Sequence, residues 1–122
     1  MGTFHTSCRV QHIVHRDKSV DVARLLVDTG REYTWISEGL LSQIGVAREK
    51  KDVSFVMANG TLVTRSVGFA IVHVESAFTI DEIVFAEEGD LLLLGARTLE
   101  GLNLTVDSRL KKLVAAGPLP AA

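Results

Sequence analysis

The sequence predicts an all-β domain, a sandwich or a closed barrel, and three observations carry that expectation. Short runs of Val, Ile, Leu and Thr recur along most of the chain, and Gly, Asn, Asp and Ser interrupt them at short intervals. The pair Asn59-Gly60 stands between two such runs, the strongest short hairpin signal. Helical spacing of apolar residues is limited to short stretches around Leu40 and Leu99.

The elements follow in order. "SCRVQHIVH" and "SVDVARLLVD" read as two strands, with Arg16-Asp17-Lys18-Ser19 as the turn between them. In the second, simple alternation puts Val20, Val22, Arg24, Leu26 and Asp28 on one face and Leu25 and Val27 on the other. Both faces are therefore apolar where the strand reaches Asp28. In "YTWISEGLLSQIGV", the Ser37 hydroxyl is expected to cap a short helix. Leu40, Leu41 and Ile44 form its inner stripe, and Gly45 suits a left-handed stop.

"REKKD" reads as a solvated loop. "VSFVMANGTLVTRSV" reads as a hairpin with a type I′ turn at Asn59-Gly60. "GFAIVHV" and "FTIDEIVFA" are further strands, and "EEGD" turns the chain into the apolar run "LLLLG". "ARTLEGLNL" fits a short helix with Leu99 and Leu102 inward, and "LTVD" and "RLKKLV" form a last hairpin. The domain is placed at 1–114. The small, Pro-containing tail at 115–122 is expected to be disordered.

Bulk properties exclude several classes. A chain of 122 residues fits one domain. With 47% hydrophobic residues and a mean hydropathy of +0.25 it can build a core. So small a domain buries a modest share of its surface, which leaves room for a stabilising partner chain. A net charge of −2 and a pI near 6.1 provide no basic footprint for nucleic acid. The single cysteine, Cys8, excludes an internal disulfide and suits a reducing compartment. No run approaches the roughly 20 apolar residues of a membrane helix, and "MGTFHTSCRVQHIVHRD" lacks a signal h-region. The expectation is a cytoplasmic chain with no membrane partner. Gly2 and Thr6 match a loose acylation pattern of low specificity, read as chance.

Asp28-Thr29-Gly30 is the stretch that raises chemistry. Alone, Asp-x-Gly is ordinary turn chemistry. Here it ends a strand apolar on both faces, which delivers a carboxylate into a protected place. The order is strand with Asp28-Thr29-Gly30, short helix, Asn-Gly hairpin at Met57 to Leu62, then "LLLLGARTLEGL". It resembles the retropepsin-like aspartic proteases, the single-domain branch of the pepsin-like clan, in particular its bacterial and archaeal members. The resemblance runs from about Arg9 to Leu113.

That resemblance implies a retropepsin-like closed barrel or sandwich with one short C-terminal helix and a hairpin flap, forming half of a two-fold dimer. Asp28 would be the catalytic carboxylate. One chain supplies one, so a homodimer would bring two together. Like charges at that distance cannot both ionise, so the pair would share one proton and activate water against a peptide or protein substrate. Thr29 would brace the partner's loop, and Gly30 would let substrate backbone approach. Met57, Ala58, Asn59, Gly60 and Thr61 would form the flap tip, and Gly95 would let two strands cross beneath the active loop. No metal and no organic cofactor are implied.

The pattern breaks after Gly30. The family usually has Ala or Ser there, lining the substrate groove, whereas this chain has Arg31 and then Glu32. Arg31 could narrow the groove and favour small or acidic substrate side chains, could pair with Glu32 or another carboxylate and swing aside, or could block the groove. The alternative function is therefore a catalytically impaired dimerisation or peptide-binding module.

Other candidates are weaker. His5, His12, His15 and His73 form no metal-ligand spacing, and His12 and His15 on one strand would face opposite ways. Cys8 reads as a strand cysteine, and Ser37 and Ser42 lack a nucleophile context. Trp35 reads as a core or interface anchor. The segment up to Val14 and the segment Leu104 to Val114 carry alternating apolar residues and are the candidate dimer edges.

Overall fold

Unbroken β-compatible sequence between Leu62 and Val74 produces one strand, β5 (Leu62–Val74), that joins much of the molecule. The computed structural model describes residues 4–121. In it β5 pairs with β4 (Lys50–Val56) along its first half and with β6 (Ala77–Ala86) along its second. It also pairs with β1 (His5–Gln11) through Arg9↔His73, Val10↔Val72 and Gln11↔Ile71. Two strands had been expected on either side of Gly68, but the chain runs straight through. A Cβ at 68 would overlap the Ala47 carbonyl oxygen, so glycine serves the close approach of Val46 and Ala47 rather than a break.

The remaining strands close a ring. β1 pairs with β2 (Ser19–Val27), β2 with β7 (Leu93–Leu94), β7 with β3 (Thr34–Ser37), and β3 with β6. The β1–β5 pairing completes the circuit, and β4 extends from it as a hairpin arm. The β2–β7 and β3–β6 pairings are parallel, so the sheet is mixed. Strands hold 51% of the described residues and helices 11%, so the all-β expectation holds at the level of class.

Alternation along β2 is not simple. Thr6 pairs with Leu25 but Cys8 with Val22, so an extra β2 residue is inserted between those pairs. This bulge flips the inward side of the strand. Val22 is buried before it and Leu25 and Val27 after it, where plain alternation had set Val22 apart from neither Arg24 nor Asp28. Leu26 packs on the other side, against a second apolar cluster, so the end of β2 is apolar on both faces as expected.

The larger core gathers Val10, Leu25, Ile36, Leu41, Ile83 and Phe85. Each such side chain, fully buried, contributes about 1.5–3 kcal/mol relative to exposure. The smaller cluster holds Trp35, Val67, Val84, Ala86 and Leu93, and Phe55, Met57 and Val63 of the β4–β5 hairpin pack on it. Trp35 is thus a core anchor of the layer under the hairpin.

Two helices are present. α1 (Glu38–Gln43) starts after Ser37 as expected, but the Ser37 hydroxyl makes no capping hydrogen bond. Leu41 is buried, Leu40 packs on the core, and Gly45 ends the helical segment at φ +77°. α2 (Ala96–Leu102) buries Leu99 and Leu102 and stops at Asn103 in the left-handed region. β8 (Leu104–Asp107) and β9 (Lys112–Ala115) form the expected last hairpin. β9 ends one residue into the expected tail, and Asn103 binds the Ala116 N–H and the Gly117 carbonyl.

Other expectations change. Lys50, Lys51 and Asp52 lie in β4, not in a loop, and Asp52 takes φ +56° where the β4–β5 register shifts. β3 was not foreseen as a strand. The first strand ends at Gln11. His12 Nδ1 accepts the N–H groups of Val14 and His15, and the two imidazoles meet at 4.8 Å instead of facing apart. β1 pairs with β2 along its length, and its second half, Arg9 to Gln11, pairs with β5 as well; β8 and β9 form a separate two-stranded sheet. Among the described residues no helix is long and apolar enough to cross a membrane. Gly2 lies outside the described residues.

Candidate active site

The apolar strand β2 is clamped up to its last residue. The Leu26 N–H donates to Leu92 O at 3.1 Å and the Asp28 N–H to Leu94 O at 3.1 Å. Asp28 is therefore held by backbone bonds to the β7 segment. Its Oδ1 accepts the Gly30 N–H at 2.9 Å, and its carbonyl accepts the Arg31 N–H at 3.3 Å. This is an Asx turn. The same carboxyl is 27% exposed, so one residue both shapes the turn and presents an acid to solvent. A Cβ at Gly30 would lie 3.3 Å from that oxygen, against the turn. Thr29 is exposed and borders a depression with Leu99, Leu104 and Val106.

Glycine supports the loop from below. The chain at 31–33 passes directly over Gly95, and a Cβ there would overlap the carbonyl oxygens of Tyr33 and Glu32. Gly95 thus stands at the junction of β7 and α2, under the 32–33 backbone. The crossing also gives Arg31 and Glu32 a backbone role: their carbonyls accept the Ala96 N–H at 2.7 Å and the Arg97 N–H at 3.1 Å. These are orphan donors of the first turn of α2, which no side chain caps.

A chain of hydroxyls, missed from sequence, continues this brace. The Gly95 N–H donates to Thr34 Oγ1 at 2.9 Å, and Thr34 shares a hydrogen bond with Thr98 Oγ1. Thr98 donates to Asp81 Oδ2 at 2.9 Å, which leaves Thr34 as the donor to Thr98. Both threonines are fully buried. The available signal was a hydroxyl inside two otherwise core-facing stretches, "YTWI" and "ARTL".

The hairpin lies over the neighbouring cleft. The Met57 N–H reaches Thr61 O at 2.8 Å, the Gly60 N–H reaches Met57 O at 2.9 Å, and the Thr61 N–H reaches Asn59 Oδ1 at 3.0 Å. Gly60 alone of the pair is left-handed, at φ +85°. The tip is a type I turn followed by a glycine bulge, not the expected type I′ turn. Asn59 spends its side chain on the turn and so does not need positive φ.

A cleft of about 250 Å³ separates hairpin from loop, walled by Arg31, Trp35, Met57, Ala58, Asn59, Leu91 and Leu93. It brings together Arg31 and three of the expected flap residues; Gly60, Thr61 and the Glu32 side chain are not among its walls. Arg31 turns back toward the acid, with Nε 3.7 Å from Asp28 Oδ2, and makes no ion pair with Glu32. That separation is an ion pair too long for a hydrogen bond, on a partly exposed surface where water screens it.

One more polar pair, also unforeseen, fixes the hairpin arm. Arg65 on β5 grips Asp90 with two bonds, Nε to Oδ2 at 2.7 Å and Nη2 to Oδ1 at 2.9 Å. Asp90 Oδ2 also accepts the Glu87 N–H, closing the turn that leads to Leu91 and Leu93. The hydrogen bond from Arg65 holds the Asp90 carboxyl below its ordinary range, outweighing the opposing effect of burial.

No protein-family model matches the chain, and no curated protein matches it.

Proposed function

We propose that the chain is one protomer of a homodimeric, retropepsin-like aspartic endopeptidase. The observation that carries this reading is Asp28, a part-exposed carboxylate at the end of a doubly clamped strand, with its loop crossing tightly over Gly95. The closed ring of strands and the hairpin over the cleft support it further.

In this reading two Asp28 side chains meet across a two-fold axis and hold one proton between them. The ionised carboxylate takes a proton from water as its oxygen attacks the peptide carbonyl carbon. The protonated carboxyl donates to the carbonyl oxygen. Collapse of the tetrahedral species breaks the C–N bond and returns a proton to the leaving amine. Gly30 leaves room for substrate backbone, and the hairpin covers an extended peptide and excludes water. A peptide-library digest at mildly acidic and neutral pH tests this. Wild type should cleave and Asp28→Asn should not; equal cleavage by both would overturn the reading.

One observation favours a second reading, a peptide-binding or dimerisation module without turnover. Arg31 already sits 3.7 Å from the Asp28 carboxylate and walls the cleft. If Arg31 blocks catalysis, wild type will be silent and Arg31→Ala will gain cleavage.

A further inference from the structure

We infer that the cleft under the hairpin is a subsite for an acidic substrate side chain, glutamate above all, and that Arg31 determines this specificity. The inference rests on the endopeptidase reading for its chemistry.

The cleft is sized for one residue. At about 250 Å³ it falls below the range of sites that enclose whole small molecules. Trp35, Met57, Leu91 and Leu93 provide apolar walls suited to the methylene stem of a glutamate. Among the described residues, Arg31 is the one charged residue in its walls.

Arg31 is held in place yet has donors to spare. Its backbone is fixed at both ends, N–H to Asp28 O and carbonyl to the Ala96 N–H. Nε faces Asp28 at 3.7 Å. Among the described residues its terminal nitrogens donate no hydrogen bond within the chain. That edge of the guanidinium offers parallel N–H groups, the geometry that grips a carboxylate with two bonds. Asn59 adds a donor, because its Oδ1 is committed to the Thr61 N–H and its amide NH₂ is left over.

Charge points the same way. A paired site with one shared proton carries one negative charge on the two Asp28 groups and two positive charges on the two Arg31 groups. The exposed Glu32 beside Arg31 offsets part of that charge but does not line the cleft, so the positive charge at the cleft wall is that of Arg31, which attracts an acidic side chain and repels lysine or arginine.

The test uses octapeptide pairs that differ only by Glu or Gln at one position, scanned through the sequence. Turnover is measured with wild type, Arg31→Ala and Arg31→Lys, and binding is measured by calorimetry with Asp28→Asn and with the Asp28→Asn, Arg31→Ala double variant. At one position the Glu peptide should be cleaved with about tenfold higher kcat/KM, equivalent to about 1.4 kcal/mol. The preference should shrink in high salt, vanish in Arg31→Ala and survive in part in Arg31→Lys. Equal handling of Glu and Gln peptides, or a preference that persists in Arg31→Ala, overturns the inference. Cleavage without charge preference sinks the inference and leaves the endopeptidase reading standing. Arg31-dependent binding of the Glu peptide without any cleavage does the reverse. Neither cleavage nor charge-dependent binding overturns both.

Discussion

Thr34 donates its hydroxyl hydrogen to Thr98 across 64 positions of chain, and so ties β3 to α2 directly beneath the Asp28 loop. The bond sits within a relay from the Gly95 N–H to the Asp81 carboxylate, and both hydroxyls are fully buried. Thr98→Val keeps the shape but strands the Thr34 hydroxyl and one lone pair of Asp81. Stability should fall by about 1–3 kcal/mol, the cost of leaving buried polar groups unpaired. Urea unfolding measures this as a lower midpoint at unchanged slope. An unchanged midpoint would show that the relay adds no stability.

Arg65 and Asp90 make acid sensitivity predictable. The Asp90 carboxyl titrates below its ordinary value of 3.8 in the folded chain, chiefly through the Arg65 hydrogen bond. The unfolded chain therefore binds this proton first as pH falls. The stabilisation is fully present above 3.8 and is lost as pH drops through the lower folded value. At neutral pH Arg65→Met should cost about 1.5–3 kcal/mol, the range for a hydrogen bond to a charged group. Its stability should also decline less steeply than that of wild type below about pH 4. His73, whose imidazole is pushed below 6.5 first by burial and then by Arg9 and Arg16, also loses stabilisation on acidification, but from higher pH. Stability curves that stay parallel through the acid range would remove Asp90 as the cause.

Cys8 should be inert in the native chain. Burial, helped by the Asp21 charge, pushes its thiol up to about 12, so almost no thiolate exists near neutrality. The side chain is also shielded in the core under β1. Alkylation by iodoacetamide should follow global unfolding, at a rate that rises with urea. Rapid labelling of folded protein would contradict this.

The legible parts of the fold were those with a local cause. Gly45 ended the α1 segment because that position needs φ > 0, and Leu99 and Leu102 faced inward because they share one side of a helix turn. Gly95 was singled out, and the chain does cross closely over it. The failures were non-local. The bulge that flips β2 depends on its pairing with β1, and no periodicity within β2 reports it. β3 has four residues, too short for a pattern to declare itself. The Arg65–Asp90 and Thr34–Thr98 contacts join residues whose sequence neighbours give no hint of each other.

Arg31 and Glu32 divide the two kinds of information most clearly. The sequence alone determined that the chain is mainly β, that an acid-Thr-Gly turn ends an apolar strand, and that a long cation follows the glycine. Those are properties of residue type and order. Only the tertiary structure decided that both carbonyls cap α2, that the Arg31 side chain turns back on Asp28, and that Arg31 alone of the two walls the cleft. Those outcomes depend on how closely β7 and α2 pass beneath the loop, a distance set by packing across the whole ring of strands and by the missing Cβ of Gly95.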